Sequence, residues 1–136
     1  MPRRIFISYN FGDRELAHSI PAFFQSQDGR SEGQPVFVTN NVTQQGDAAV
    51  EREIRSVMAG CDSALFVVGD NVHNSPWIDR EAELAISMGL ALVAVRAPRT
   101  TGGLPKRLEP LQIPVVAWKQ DALATALRMA RKPNRC

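Results

Sequence analysis

The segment Ala64-Leu65-Phe66-Val67-Val68-Gly69, followed after a short polar loop by Ser75-Pro76-Trp77-Ile78-Asp79-Arg80-Glu81, decides how this chain is read. The first run is apolar almost throughout, as a strand covered on both faces should be. The second opens a helical pattern that runs to about Met88. Pro76 suits its first turn, where a missing backbone N–H costs nothing, and Ile78, Ala82, Ala85 and Ile86 form one apolar stripe. Trp77 and Glu81 are four residues apart and lie on one helix face, one turn from each other. A strand leading into this helix puts both near the strand's carboxyl end, where open α/β sheets hold their ligands. On spacing alone, Glu81 reads as a surface carboxylate favoured by the helix dipole and Trp77 as an aromatic anchor on the sheet.

The same alternation extends in both directions. Strands are expected at Ile5–Tyr9, Pro35–Thr39, Ala64–Gly69, Ala91–Arg96 and Pro114–Trp118. Between them, Asp47 is placed to cap a helix whose Val50, Ile54, Val57 and Met58 share a face, with Gly60 just past its end. A final helix carries Leu123, Ala126, Leu127 and Ala130. Leu16, Ile20 and Phe23 have helical spacing, but Pro21 interrupts them, which predicts a kink or two short helices between Asp13 and Gln27. Residues 97–113 hold Pro98, Pro105, Pro110 and Gly102-Gly103 and read as a loop with room for one helical turn. Alternating strands and helices favour an α/β fold, a parallel sheet with right-handed crossovers and helices on both faces.

A chain of 136 residues suits one domain, 1–136, ending in a basic tail at about 131–136. A net charge of +2 gives nucleic-acid binding no compositional support. Arg128, Arg131, Lys132 and Arg135 read as cations at a helix C-terminus. No apolar run is long enough to span a bilayer, and none follows Met1 as a signal peptide would. Cys61 and Cys136 are expected to stay unpaired, as in a reducing compartment, so the expected location is the cytoplasm. Neither metal-ligand spacing nor a glycine-rich phosphate loop is present. Ser8 has no triad partners that would make it a nucleophile.

The order of elements, a first strand ending in Phe6-Ile7-Ser8-Tyr9, and Ser75-Pro76-Trp77 with Glu81 together resemble a TIR-type domain. Among these, the chain is most similar to the small bacterial TIR-like family of Thoeris antiphage defence. The resemblance covers Arg4 through Trp118. It implies a flavodoxin-like three-layer fold with a five-stranded parallel sheet of order 2-1-3-4-5. It also implies an enzyme that cleaves NAD between nicotinamide and ribose. The family's essential glutamate maps onto Glu81 and its aromatic partner onto Trp77. Phe6, Ser8, Tyr9 and Asn10 map onto the substrate-binding floor, with Asp13 farther along that loop. Residues 40–47 correspond to the mobile loop after the second strand, through which a homo-oligomer is expected to form. NAD is the expected substrate, with no cofactor and no metal, and the implied product is an ADP-ribose-derived signal, cyclic or conjugated, for a separate effector protein.

That chemistry is physically reasonable. Breaking the nicotinamide–ribose bond creates an oxocarbenium-like centre. Nicotinamide departs neutral from a cationic pyridinium, so no general acid is needed. One carboxylate at the ribose, Glu81, suffices to orient hydroxyls and stabilise positive charge. Glu83 is the rival carboxylate, but it points about 200° around the helix and reads as solvent-facing. His73 lies in the loop before Trp77 and reads as a solvated histidine or a ribose or phosphate contact; His18 reads as a helix-surface residue. The product stays open among ADP-ribose, a cyclic isomer and a conjugate. The short polar segment Asp28–Gln34, where bacterial relatives often carry longer insertions, bears on that choice.

Two other readings compete. A phosphoacceptor receiver would place its aspartate at Asp70 and a lysine at Lys119, but it needs acidic magnesium ligands just after the first strand. Here those positions are Tyr9-Asn10-Phe11. The second is a non-catalytic TIR module acting by self-assembly, since fold does not establish activity.

Overall fold

The computed structural model describes residues 3–10, 13–24, 33–37, 47–70 and 76–130. Strands β1 (Arg3–Ser8), β2 (Gly33–Val36), β3 (Ser63–Val68), β4 (Ala91–Arg96) and β5 (Val115–Val116) form one parallel sheet of order β2-β1-β3-β4-β5. Helices α2 (Asp47–Ala59) and α3 (Pro76–Ser87) contribute to the core on one face. Helices α1 (Arg14–Ala17) and α4 (Gln120–Met129) contribute to the other.

Side-chain alternation along the strands builds both cores. Phe6, Ala64, Phe66, Val68, Leu92 and Ala94 meet Ile54 and Met58 of α2 and Ile78, Ala82 and Ala85 of α3. Ile5, Ile7, Leu65, Val67, Val93 and Val95 meet Ala17, Ile20, Leu123 and Leu127. Every residue of β3 is buried, which is why its sequence carries no polar alternation. Leu84 also enters the core, although the stripe read from the sequence omitted it; the apolar face of α3 is wider because Leu90 and Leu108 fold beneath it.

The strand order is the one the resemblance implies, and several boundaries move. Strand β1 begins at Arg3 and ends at Ser8 rather than Tyr9, because Tyr9 already turns into the following loop. Strand β2 is shifted toward its start, with Gly33 opposite Arg3 and Val36 opposite Phe6; Phe37 has left the ladder, and Val38 and Thr39 lie outside the described residues. Strand β3 begins at Ser63 and ends at Val68 rather than Gly69. Strand β5 shrinks to two residues, since Pro114 cannot donate to a ladder, although its carbonyl still accepts from Ala94 N at 2.9 Å.

Pro21 does break the first helix: α1 stops at Ala17 and a 3₁₀ turn, Ile20–Phe24, takes over. Asp47 is the first residue of α2 rather than a cap before it. The loop after β4 contains one 3₁₀ turn, Glu109–Leu111. Cys61 is a buried free thiol whose Sγ donates to Val57 O at 3.4 Å; burial pushes its pKa up, the state of an inert structural cysteine. Among the described residues no helix is long and apolar enough to cross a membrane.

Candidate functional site

Strand β1 lies between β2 and β3, so the chain leaves its two neighbours on opposite sides of β1's carboxyl end. Such a switch point opens a crevice above the sheet. Ser8 is the last residue of β1 and is 1% exposed. Its even position turns it toward the face that α3 covers, as Phe6 shows two residues earlier. Glu81, in the second turn of α3, reaches back to meet it, and Ser8 Oγ donates to Glu81 Oε1 at 3.4 Å.

This contact is long, and it only partly offsets the removal of the carboxyl from water. Burial raises the Glu81 pKa from 4.5 to about 8, against the lowering effect of the Ser8 hydrogen bond. Glu81 as a whole residue remains partly exposed, although its carboxyl group is surrounded by protein. Among the described residues no salt bridge involves it. At neutral pH the unliganded site therefore holds Glu81 mainly as the neutral acid. A cation brought beside it would favour the ionised form.

Glu83 has the opposite surroundings. It pairs with Arg80 at 3.0 Å and Arg107 at 3.3 Å, while Arg80 also pairs with Glu51 of α2. Asp79 accepts from Arg107 N at 3.0 Å. Glu83 is thus turned outward as its helical angle requires, but it is held in a charge network rather than simply solvated. Two glutamates two residues apart differ because one faces the sheet's crevice and the other the outer flank.

The rim of the crevice is tied together across three strand ends. Asp13 N donates to Asn10 O at 2.8 Å. The Asp13 carboxyl lies against Gly69, where any Cβ would overlap it. Burial, then the charge of Asp70, raises its pKa. Asp70 Oδ1 accepts from Thr101 N at 2.9 Å, and Thr100 Oγ1 donates toward Val68 O and Ala97 O. Gly102 passes so close to the backbone of Gly69 and Asp70 that a Cβ would overlap their carbonyl oxygens. Among the described residues no three His, Cys, Asp or Glu side chains group as metal ligands.

A model of the family described as Thoeris protein ThsB, TIR-like domain, matches residues 6–102. The chain belongs to this TIR-like family. The matched span runs from β1 to the loop after β4 and so contains Ser8, Glu81 and the knitted rim. Two solved structures share the fold of this TIR-like domain. The SEFIR domain of IL-17 receptor B is 13% identical, with a TM-score of 0.56, over 93% of each chain. The CMP N-glycosidase BcmB of Clostridium botulinum is 15% identical, with a TM-score of 0.55, over 93% of this chain and all of that one. No curated protein matches the chain in sequence.

Of the residues mapped onto the TIR-like site, Ser8 and Glu81 are brought together. Phe6 is fully buried in the core beneath them, where it supports the floor. Tyr9 and Asn10 are half-buried at the rim. Trp77 lies in the first turn of α3, and its side chain is outside the described residues, as are His73, the loop 40–46, most of Asp28–Gln34 and the basic tail. Sequence reasoning missed an aromatic cluster beside Tyr9. His18 stacks on Phe37 with centroids 4.5 Å apart, and Tyr9 meets both rings edge-on at 5.6 and 6.0 Å. The available signal was the strand order: with β2 beside β1, residues just past both carboxyl ends converge.

Proposed function

We propose that this TIR-like domain cleaves NAD at the nicotinamide–ribose bond, acting in the cytoplasm and supplying an ADP-ribose-derived signal, cyclic or conjugated, to an effector protein in antiphage defence. The observation that carries the reading is the enclosed Glu81 carboxyl, held by Ser8 at the carboxyl end of β1. Membership in the Thoeris TIR-like family supports the setting. A neighbour in fold is a CMP N-glycosidase, and the bond between nicotinamide and ribose is of the same N-glycosidic class.

In this mechanism the resting acid form of Glu81 loses its proton to solvent as the cationic pyridinium ring enters, since a nearby positive charge favours a carboxylate. The carboxylate then accepts hydrogen bonds from ribose hydroxyls. The C–N bond breaks with both electrons leaving on nicotinamide, which departs neutral. Positive charge develops on the ribose, and Glu81 stabilises it from a site with little competing water. Water, a hydroxyl or ring nitrogen of the same molecule, or a second small molecule then closes on the sugar carbon and releases its proton. Homo-oligomerisation through residues 40–47 belongs to the same proposal.

The test is mass spectrometry of NAD incubated with concentrated protein and with Glu81→Gln. Nicotinamide release together with an ADP-ribose-derived product, abolished in a folded Glu81→Gln, is the expected result. Full turnover by Glu81→Gln would refute the assignment. ADP-ribose as the sole product would replace signalling with NAD depletion.

A further inference from the structure

The mechanism uses the β1 end from one side only. Ser8 and Glu81 lie on the face of the sheet covered by α3. Tyr9, the next residue, packs with Phe37 against the opposite core, and His18 at the end of α1 closes over both. The three rings form a built cluster rather than a chance contact. His18 and Phe37 are nearly parallel, 21° between planes, and Tyr9 stands at 73° and 72° to them. The Tyr9 hydroxyl and His18 Nε2 approach to 3.4 Å, a long contact that adds to the ring packing. His18 nonetheless stays exposed, and Phe37 is half-buried. An oriented ring with free surface is thus presented at the same strand end as the Glu81 carboxyl. Tyr9 is close enough to Glu81 that its charge, after burial, raises the Tyr9 pKa.

We propose that Tyr9, His18 and Phe37 form a stacking platform for a planar heterocycle of the nucleotide substrate, so that the substrate straddles the carboxyl end of β1 with its reacting ribose at Glu81. The nucleotide nature of the substrate rests on the reading given under Proposed function. Two features favour a heterocycle over an aliphatic group. Stacked aromatic rings prefer a further π-face at the same spacing. Base stacking on side chains also tolerates any base, so the cluster needs no hydrogen-bond code to hold one. Either ring of a dinucleotide meets this chemistry, the purine or the pyridinium.

The probes are adenosine monophosphate, nicotinamide mononucleotide and ribose 5-phosphate, added to the whole chain and to Glu81→Gln. Binding is followed by the imidazole proton resonances of His18, assigned with His73→Gln. A ring-current shift with either base-bearing nucleotide, absent with ribose 5-phosphate, is expected; which nucleotide gives it identifies the ring. Phe37→Leu keeps apolar volume while removing the stack, and it should weaken that nucleotide by roughly 5- to 100-fold. In NAD turnover it should raise KM with kcat little changed. The platform is overturned by equal shifts with all three probes, by no shift with any, or by unchanged affinity in a folded Phe37→Leu. Failure of the catalytic reading looks different: NAD stays intact while the His18 shift persists.

Discussion

Replacing Glu81 by glutamine should abolish a large pH dependence of stability. The carboxyl ionises near 4.5 in an open chain and at about 8 in the folded site. A group whose folded pKa is raised contributes stability that is complete below its unfolded pKa and is lost as pH rises through the folded one. The shift of 3.5 units (8 minus 4.5) corresponds to about 5 kcal/mol at most. Glu81 is a partly exposed residue and relaxation with water reduces such penalties, so the measured loss should fall between about 2 and 5 kcal/mol. Glutamine matches the neutral acid in shape and does not titrate. Urea unfolding of both proteins from pH 4.5 to 9 isolates the effect, because the raised pKa of Asp13 is common to both and the Tyr9 hydroxyl, whose pKa is raised partly by Glu81 itself, ionises above that range. The stability of wild type relative to Glu81→Gln should decline with a slope approaching about 1.4 kcal/mol per pH unit and flatten above pH 8. Parallel curves would show that the carboxyl is not held away from water, and the electrostatic account of the site would fall with them.

Further outcomes are expected from the same geometry. If catalysis uses ionised Glu81, kcat/KM for NAD should rise with pH and level off above about 8, the free-enzyme value; a flat profile from pH 6 to 9 would exclude that role. Gly102→Ala should destabilise by about 1–3 kcal/mol, since its Cβ meets the backbone of Gly69 and Asp70; an unchanged Tm would mean the loop is not packed there. Phe66→Ala, at the centre of a fully buried strand, should cost about 3–5 kcal/mol in denaturant unfolding. Arg80→Ala should leave the melting temperature within error, because these ion pairs lie at the surface with side chains 27–39% exposed, where such pairs contribute little; a marked fall would assign the network a structural role.

The fold was legible because its central strands are buried on both faces. Ala64 to Val68 and Ala91 to Val95 leave no ambiguity of period, and Pro21 and the Gly102-Gly103 loop punctuate the chain by local sterics. The edges were less legible. Pairing of β2 and β5 depends on one neighbour each, so register, not composition, sets where they stop. For the site, a helical spacing placed Glu81 and turned Glu83 away, and the resemblance put Ser8 beneath it. Arg80 pairs with Glu83 at the i,i+3 spacing that a helix makes legible, but Arg107, from the loop after β4, is revealed by no local pattern. His18 read as an ordinary surface histidine for the same reason: its meaning comes from Phe37, across two elements.

The sheet's two borders also limit how copies of this domain can meet. Pro35 sits within outer strand β2, and β5 offers only Val115 and Val116 after Pro114. A proline has no N–H to give, and two residues make too short a template for a foreign strand. Among the described residues, both borders are therefore poor templates for continuous growth of the sheet from one molecule into the next. A filament or ring would then join through helices and loops, contacts that can be made and broken without rewriting backbone pairing. A protein that assembles that way can be switched on by crowding or by a partner and still come apart, instead of drifting into the irreversible stacking to which open sheets are prone.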